Sequence, residues 1–344
     1  MHMADALLSP AVGGALWATT AATVAYCSKK IRADADEQRV PLMGVLAAFV
    51  FTAQMINFTI PATGSSGHLG GGLLLAILVG PHAAFLTIAS VLTIQALFFA
   101  DGGLLALGAN IFNLGFFPCF LAYPLIYRPL AGNNPTPGRI GAGAVLAGMV
   151  GLQLGALGVV LETVASGISA LPFKNFLLLM LPIHLAIGLV EGLVTAAVVN
   201  FIRKADPTLV QAEPIGPRKR PAFRRVVVGL ACTAAVTGMA LSWFASSHPD
   251  GLEWSIAGVT GTEELAETDS GIKATLALLQ EKLSFLPDYG FRAPTEQEAA
   301  PPTEAWPAVN GGTSLAGLIG GLLTLALAGF TGLALRKGAS LVRS

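Results

Sequence analysis

Charge is what this sequence has least of. Asp, Glu, Lys and Arg make up 12% of its 344 residues, about half the usual ~25% of soluble domains. A soluble fold of this length needs a largely charged surface, and 20 acidic and 20 basic residues cannot supply it. The formal net charge is zero, so the electrostatic footprint of a nucleic-acid binder is missing. Cysteine is scarce too. Cys27, Cys119 and Cys232 are odd in number, far apart and set in apolar runs, which argues against a disulfide framework or a thiolate zinc site. No Gly-x-x-x-x-Gly-Lys-Ser/Thr loop occurs to cradle ATP phosphates. The His-Glu-x-x-His spacing of a helical zinc hydrolase is also absent.

What the chain has in quantity is apolar sequence: 53% hydrophobic residues and a mean hydropathy of +0.68. A helix needs about 17–25 apolar residues to cross ~30 Å of hydrocarbon. About nine such runs are predicted, at 11–28, 41–60, 69–81, 83–100, 104–127, 140–165, 176–202, 226–245 and 313–335. The third is short, and Gly80-Pro81 after it reads equally as a tight turn or as a kink in one longer helix. The fold class is therefore an all-α membrane protein: a seven-helix bundle followed by a two-helix transmembrane hairpin. Placing the N-terminus outside puts 16 of the 20 Lys and Arg residues on the cytoplasmic side, as the positive-inside rule requires; the C-terminus is then cytoplasmic. The first run is expected to stay attached, since His2 and Asp5 stand where a signal peptide carries positive charge.

Three segments follow. Residues 1–205 hold seven spans, 206–222 form a Pro-rich basic cytoplasmic linker, and 223–344 form the hairpin around an outer polar loop, 246–312. Glycine pairs at small-xxx-small spacing (Gly151/Gly155, Gly188/Gly192, Gly317/Gly321) predict close helix approach.

The five histidines are the chemistry-bearing residues. The topology puts His2 and His68 on the same outer face. Imidazole suits Ni, Cu, Co and Zn, and a histidine at position 2 adds a chelate. The Met1 α-amine, the His2 backbone nitrogen and His2 Nδ1 can close five- and six-membered rings around one ion, with His68 as fourth nitrogen. A planar N4 set favours Ni(II) and Cu(II). The bland alternative makes His2 an accident of the terminus and His68 an ordinary loop residue. His82 lies too near the cytoplasmic boundary to share that ion, while His248 on the outer face reads as a transient metal contact or as a solvated residue.

Polar residues within apolar helices are costly unless partnered. Asn57, Gln95, Asn110 and Asn113 serve either to orient His68 or to bond helix to helix. Asn57, on the outer side about three turns from His68, and Ser66 are the expected residues to orient that histidine. His184 and Glu191, two turns apart on one helix face, form an ionisable pair that reads as a conformational coupling element or as a structural bridge. Asp101 and Glu162 sit at outer span ends, where they attract cations or mark the interface.

The opening Met1-His2-Met3-Ala4-Asp5-Ala6-Leu7-Leu8-Ser9-Pro10 resembles the start Met-His-x-x-Asp-Gly-Phe-Leu-Ser-Pro of the CbiM/NikM family. That family is the substrate-binding membrane component of cobalt and nickel energy-coupling-factor transporters. The resemblance continues through Thr63-Gly-Ser-Ser-Gly-His-Leu-Gly-Gly-Gly72, Leu78-Val-Gly-Pro-His82 and Gln95-Ala-Leu-Phe-Phe-Ala-Asp-Gly-Gly103. It runs on through Leu107-Gly-Ala-Asn-Ile-Phe-Asn-Leu-Gly115 and Ile183-His-Leu-Ala-Ile-Gly-Leu-Val-Glu-Gly192. Met3, Ala4, Ala6 and Leu7 depart from its usual Ile, Pro, Gly and Phe. Pro249-Asp-Gly-Leu-Glu253 resembles the small CbiN/NikN companion subunit, here fused to the first block. The resemblance implies a prokaryotic cytoplasmic-membrane protein that captures Ni(II) or Co(II) as transported substrate through Met1, His2 and His68. It also implies energising partners, a transmembrane scaffold subunit and two cytoplasmic ATPase subunits. The competing readings are an intramembrane metalloenzyme and a purely structural membrane scaffold.

Overall fold

The computed structural model describes residues 2–33, 39–210, 220–265, 271–292 and 306–343. The protein is mostly helical. α1 spans Pro10–Ala33, α2 Arg39–Gln54, α3 Gly72–Val79 and α4 Pro81–Phe99. α5 covers Leu107–Ala131, α6 Pro137–Ser166 and α7 Phe173–Ala205. In the C-terminal part, α8 is Arg220–Met239, α9 Gly251–Thr260, α10 Gly271–Leu283 and α11 Gly311–Arg343. Among the described residues the only sheet is a hairpin, β1 Phe58–Ile60 antiparallel to β2 Ser65–Gly67, with Thr59 opposite Ser66.

Among the described residues, six helices are long and apolar enough to cross a membrane: Pro81–Phe99, Leu107–Ala131, Pro137–Ser166, Phe173–Ala205, Pro221–Met239 and Gly311–Arg336. Val40–Gln54 is apolar but shorter. Three of the nine expected runs therefore differ from a full apolar span. The first builds α1, whose 24 residues carry threonines, glycines and a basic end. The third builds only the eight residues of α3, about 12 Å at 1.5 Å per residue, far short of ~30 Å of hydrocarbon. Gly80, at φ 80° and ψ 160°, separates it from α4. The two helices pack against each other, so Gly80-Pro81 is a tight turn. Within α5, Phe112–Tyr127 is π-helical around Pro118 and Pro124. A proline without an N–H cannot close the ordinary ladder, and the wider winding absorbs it.

Glycine sets the helix contacts. A Cβ on Gly192 would lie 2.4 Å from Val145 Cα, and one on Gly188 2.7 Å from Met149 Cα, so α7 rests directly on the backbone of α6. Gly317 likewise meets Gly238 between α11 and α8, and Gly44 of α2 meets the Leu325 carbonyl of α11. The C-terminal helices thus pack against the first block through α2. Gly192→Ala should cost about 1–3 kcal/mol, the range for overpacking a tight contact. Thermal unfolding in detergent checks this against Gly141→Ala, whose new methyl would meet nothing within 4 Å.

Candidate metal centre

The segment that carries His2 is pinned from both ends of its backbone. Met3 N donates to Asn110 Oδ1 at 2.8 Å, and Asn110 Nδ2 donates back to Met3 O at 3.2 Å. Gly103 N donates to the same carbonyl at 2.9 Å. Asp5 Oδ1 accepts from Ala106 N at 2.9 Å, and Met3, Leu7 and Leu8 are fully buried. Chain and bundle approach so closely that a Cβ on Gly103 would collide with the Asp5 carboxylate. Asn110 is thus the anchor of the N-terminal segment, a role that its place in an apolar helix left open. Met1 lies outside the described residues.

His68 arrives from the other side, at the end of the β1–β2 hairpin. Gly70 N and Gly71 N donate to Glu191 Oε2 and Oε1 at 2.7 and 3.0 Å. Gly70 O accepts from Gln54 Nε2, whose Oε1 accepts from Gln95 Nε2. Glu191 therefore fixes the loop after His68, while its expected partner His184 bonds to the Met180 carbonyl of its own helix through Nδ1 at 2.8 Å.

Residues 66 positions apart in sequence meet here. The His2 and His68 rings stack with centroids 5.0 Å apart and planes 12° from parallel. His68 Nδ1 lies 3.1 Å from Leu69 O; a carbonyl only accepts, so Nδ1 carries the proton and Nε2 keeps its lone pair. His68 Nε2 stands 3.8 Å from Asp250 Oδ2, and His2 Nδ1 stands 3.1 Å from Asp101 Oδ1. His2 Nε2 is buried with no hydrogen-bond partner. Burial pushes both imidazoles down to about 3, so near neutral pH they are uncharged and their lone pairs are not lost to protons. Among the described residues, no three His, Cys, Asp or Glu side chains converge as a ready metal cluster. A chelate built on the terminal amine and an amide nitrogen needs no such cluster.

The C-terminal part supplies much of the remaining wall. Pro249-Asp-Gly-Leu-Glu253 starts α9 with a reciprocal cap: Asp250 Oδ1 accepts from Leu252 N and Glu253 N, and Glu253 Oε2 accepts from Asp250 N. The Asp-x-x-Glu spacing alone would have announced that helix start. What the sequence did not announce is its docking on the hairpin. Ser66 N donates to Pro249 O at 2.8 Å, Ser246 N donates to Asn57 O at 2.7 Å, and Trp254 Nε1 donates to Thr63 O at 3.0 Å. Ser66 Oγ donates to His248 O at 2.7 Å. Ser66, expected to orient the His68 ring, is thus committed to holding the C-terminal segment. Asn57 contributes its carbonyl to that same seam and lines the cleft beside His2. Beyond α10, Tyr289 Oη donates to Asp101 Oδ2 and its ring stacks on Phe99. His82 packs against Tyr26 and Phe120 and does not line the cleft.

The result is a cleft of about 470 Å³ between the two parts, with His2 and His68 in its wall. Among the described residues, six carboxylates line it (Asp101, Asp250, Glu253, Glu263, Glu264 and Asp288), and no lysine or arginine does. The crowding is felt: burial raises Asp101, and burial together with Asp250 pushes Glu253 up to about 7. Neutral nitrogen donors at an acidic cleft suit a borderline divalent cation.

Residues 2–209 match the family described as the cobalt uptake substrate-specific transmembrane region, CbiM. The chain belongs to the CbiM family. Residues 224–337 match the PDGLE domain, so a CbiM part is fused here to a companion-like part. The CbiM part is 37% identical over 211 residues to a putative fused nickel transport protein, NikMN, of Archaeoglobus fulgidus, covering 61% of this chain and 68% of that one. It is 31% identical to the cobalt transport protein CbiM of Sorangium cellulosum, covering 61% of this chain and 94% of that one. A probable fused nickel transport protein, LarMN, of Lactiplantibacillus plantarum is 34% identical over 240 residues, 67% of this chain and 73% of its own. The crystal structure of a truncated transition metal transporter superposes with a TM-score of 0.53 at 32% identity, over 59% of this chain and 99% of its own. The CbiM chain with its PDGLE part is a multi-pass membrane protein of a nickel and cobalt transport family.

Proposed function

We propose that this chain is the substrate-capture subunit of an ATP-driven energy-coupling-factor uptake transporter. It binds one Ni(II) or Co(II) ion through the Met1 amine, the His2 amide nitrogen and imidazole, and His68. The observation that carries the reading is the stacking of His2 on His68 at 5.0 Å, two uncharged imidazoles brought together from separate segments. The pinned Met3 backbone supports it, because it delivers the start of the chain to the His68 loop and nowhere else. The six-carboxylate cleft draws the hydrated ion in, and His2 and His68 replace its water with nitrogen donors.

In this reading residues 1–205 form a seven-helix metal-binding domain with the N-terminus outside. Residues 206–222 are a cytoplasmic linker, and 223–344 are the companion segment with its outer loop at 246–312 and a cytoplasmic C-terminus. The chain hydrolyses no ATP of its own. A transmembrane scaffold subunit and two cytoplasmic ATPase subunits energise release of the ion inward. An intramembrane hydrolase would need a water-bearing open site with a third side-chain ligand, and the His-Glu-x-x-His spacing that would supply one does not occur in the sequence.

The test compares two histidines in the full chain. His68→Ala should weaken Ni(II) binding by more than about 100-fold, beyond the 10–100-fold typical of groups behind the ligands, and should remove the absorption band of the planar ion. His82→Ala should bind as the parent does. Equal losses in the two variants, read by calorimetry, would place the site elsewhere.

A further inference from the structure

Helix α10 carries two faces at roughly a right angle to each other. At about 3.6 residues per turn, Lys273, Gln280 and Ser284 fall on one side, where Lys273 and Ser284 are buried. Gln280 Nε2 donates to Ala96 O at 2.8 Å and to Gly102 O at 2.7 Å, so this side lies on the end of α4. Ile272, Leu279 and Leu283 form a second stripe roughly a quarter turn away, and all three are exposed. Glu281 holds the opposite flank and is exposed as well. A helix that only covered α4 would carry polar residues on both flanks. This one has an apolar flank and a charged flank.

The partners of α10 set its height. α4, one of the helices long and apolar enough to cross the membrane, ends at Phe99. Ala96 lies about 4.5 Å inside that end at about 1.5 Å per residue. Just past α10, the Phe285 ring packs on Phe98 and Phe99 with centroids 5.6 and 6.0 Å away, and Leu286 N donates to Phe98 O at 3.4 Å. The helix therefore lies beside the last turn of a membrane-crossing helix. From there the chain reaches the start of α11, where a Cβ on Gly312 would lie 3.0 Å from Phe291 N. Phe291 is 64% exposed at that point, and Trp306, whose ring meets Phe244 edge-on, is 70% exposed. Exposed aromatic rings at the end of a span mark the boundary between hydrocarbon and water. Leu315, Leu318 and Leu322 continue the exposed apolar surface along α11 into the span itself.

We propose that α10 is an interfacial helix, seated in the phospholipid leaflet at the metal-centre end of the bundle. Acyl chains receive Ile272, Leu279 and Leu283. Lys282, exposed beside that stripe, meets the phosphate oxygens, and Glu281 stays in water. Immersion of about 5–10 Å is usual for such helices, in keeping with a contact one turn inside the end of α4. The lipid surface thereby steadies the strap that brings Tyr289 to Asp101 at the rim of the cleft. Nothing in this inference depends on which groups ligate the ion.

The experiment attaches a nitroxide label at one position at a time in the full chain, reconstituted in phosphatidylcholine nanodiscs. A Cys232→Ser background removes the exposed native thiol. Leu279→Cys and Glu281→Cys carry the label on opposite flanks, and both positions are exposed, so neither label disturbs the packing on α4. Collisions with oxygen, which concentrates in lipid, are compared with collisions with chromium oxalate, which stays in water. Oxygen should dominate at position 279, at a depth of about 5–10 Å, and the order should reverse at position 281. A label at 279 as open to chromium oxalate as the one at 281 would overturn the proposal by putting the apolar flank in water. Protection of 279 from both reagents would overturn it as well, because protein, whether a second copy or another subunit, would then cover the flank.

Discussion

A short histidine-free extension ahead of Met1 is expected to abolish tight Ni(II) binding while leaving the protein folded. The extension turns the terminal amine into an amide and removes the first nitrogen of the proposed chelate. The rest of the site stays where it was, because Met3 is bonded on both sides to Asn110 and again to Gly103, and Asp5 to Ala106. The loss should exceed about 100-fold, that is more than ~2.8 kcal/mol at 1.4 kcal/mol per tenfold change. Calorimetric titration of the tagged and untagged chains measures it, with elution volume and circular dichroism as the control on folding. Parent-like affinity in the tagged chain would remove the amine from the ligand set and leave His2 as a simple imidazole donor.

The second large effect is expected at Glu191, which touches neither histidine. Its carboxylate, 3% exposed, accepts from Gly70 N and Gly71 N and so shapes the turn that follows His68. Glu191→Ala strands two buried N–H groups at about 1–3 kcal/mol each, and the loop relieves that cost by moving. His68 moves with it, and Ni(II) affinity should fall about 10–100-fold, as when the support behind a ligand is lost. Glu191→Gln keeps one acceptor oxygen and should fall between the parent and the alanine variant, in both affinity and melting temperature. An alanine variant with parent-like affinity would show that the loop holds His68 without help from α7.

The membrane class was legible because it depends on local facts, composition and run length; the proximity of His2 and His68 depends on a fold that those facts do not describe. The π-helical Phe112–Tyr127 was not legible, since its prolines lie inside an apolar run that reads as an ordinary span. The same blindness made the run at 69–81 a crossing, when it forms the eight-residue α3 ending at Gly80. Contacts over long sequence separations were hidden altogether. Asn110 to Met3, Gln95 to Gln54, Tyr289 to Asp101 and Ser66 to His248 join residues 41 to 188 positions apart, and no periodicity records such pairings. Ser66, two positions from His68 in sequence, bonds through its hydroxyl to a segment that begins 180 residues later. Glu191 is the converse case, an intramembrane carboxylate read as half of a pair with His184, whose partners are backbone amides that no side-chain pattern reveals.

The seam between the β1–β2 hairpin and residues 246–254 also bears on how the transporter is made. Where capture and companion parts are separate products, some capture sites go without a companion whenever synthesis is unequal, and the pair must hold together against dilution. Here both come from one message in a fixed ratio of one to one. A tethered partner acts at about millimolar local concentration, so a few hydrogen bonds such as Ser66 to Pro249 and Asn57 to Ser246 suffice to seat it. Under the proposed function, the seam can therefore be weak enough to open and reclose as ions are loaded, and the fusion itself balances the supply of the two halves.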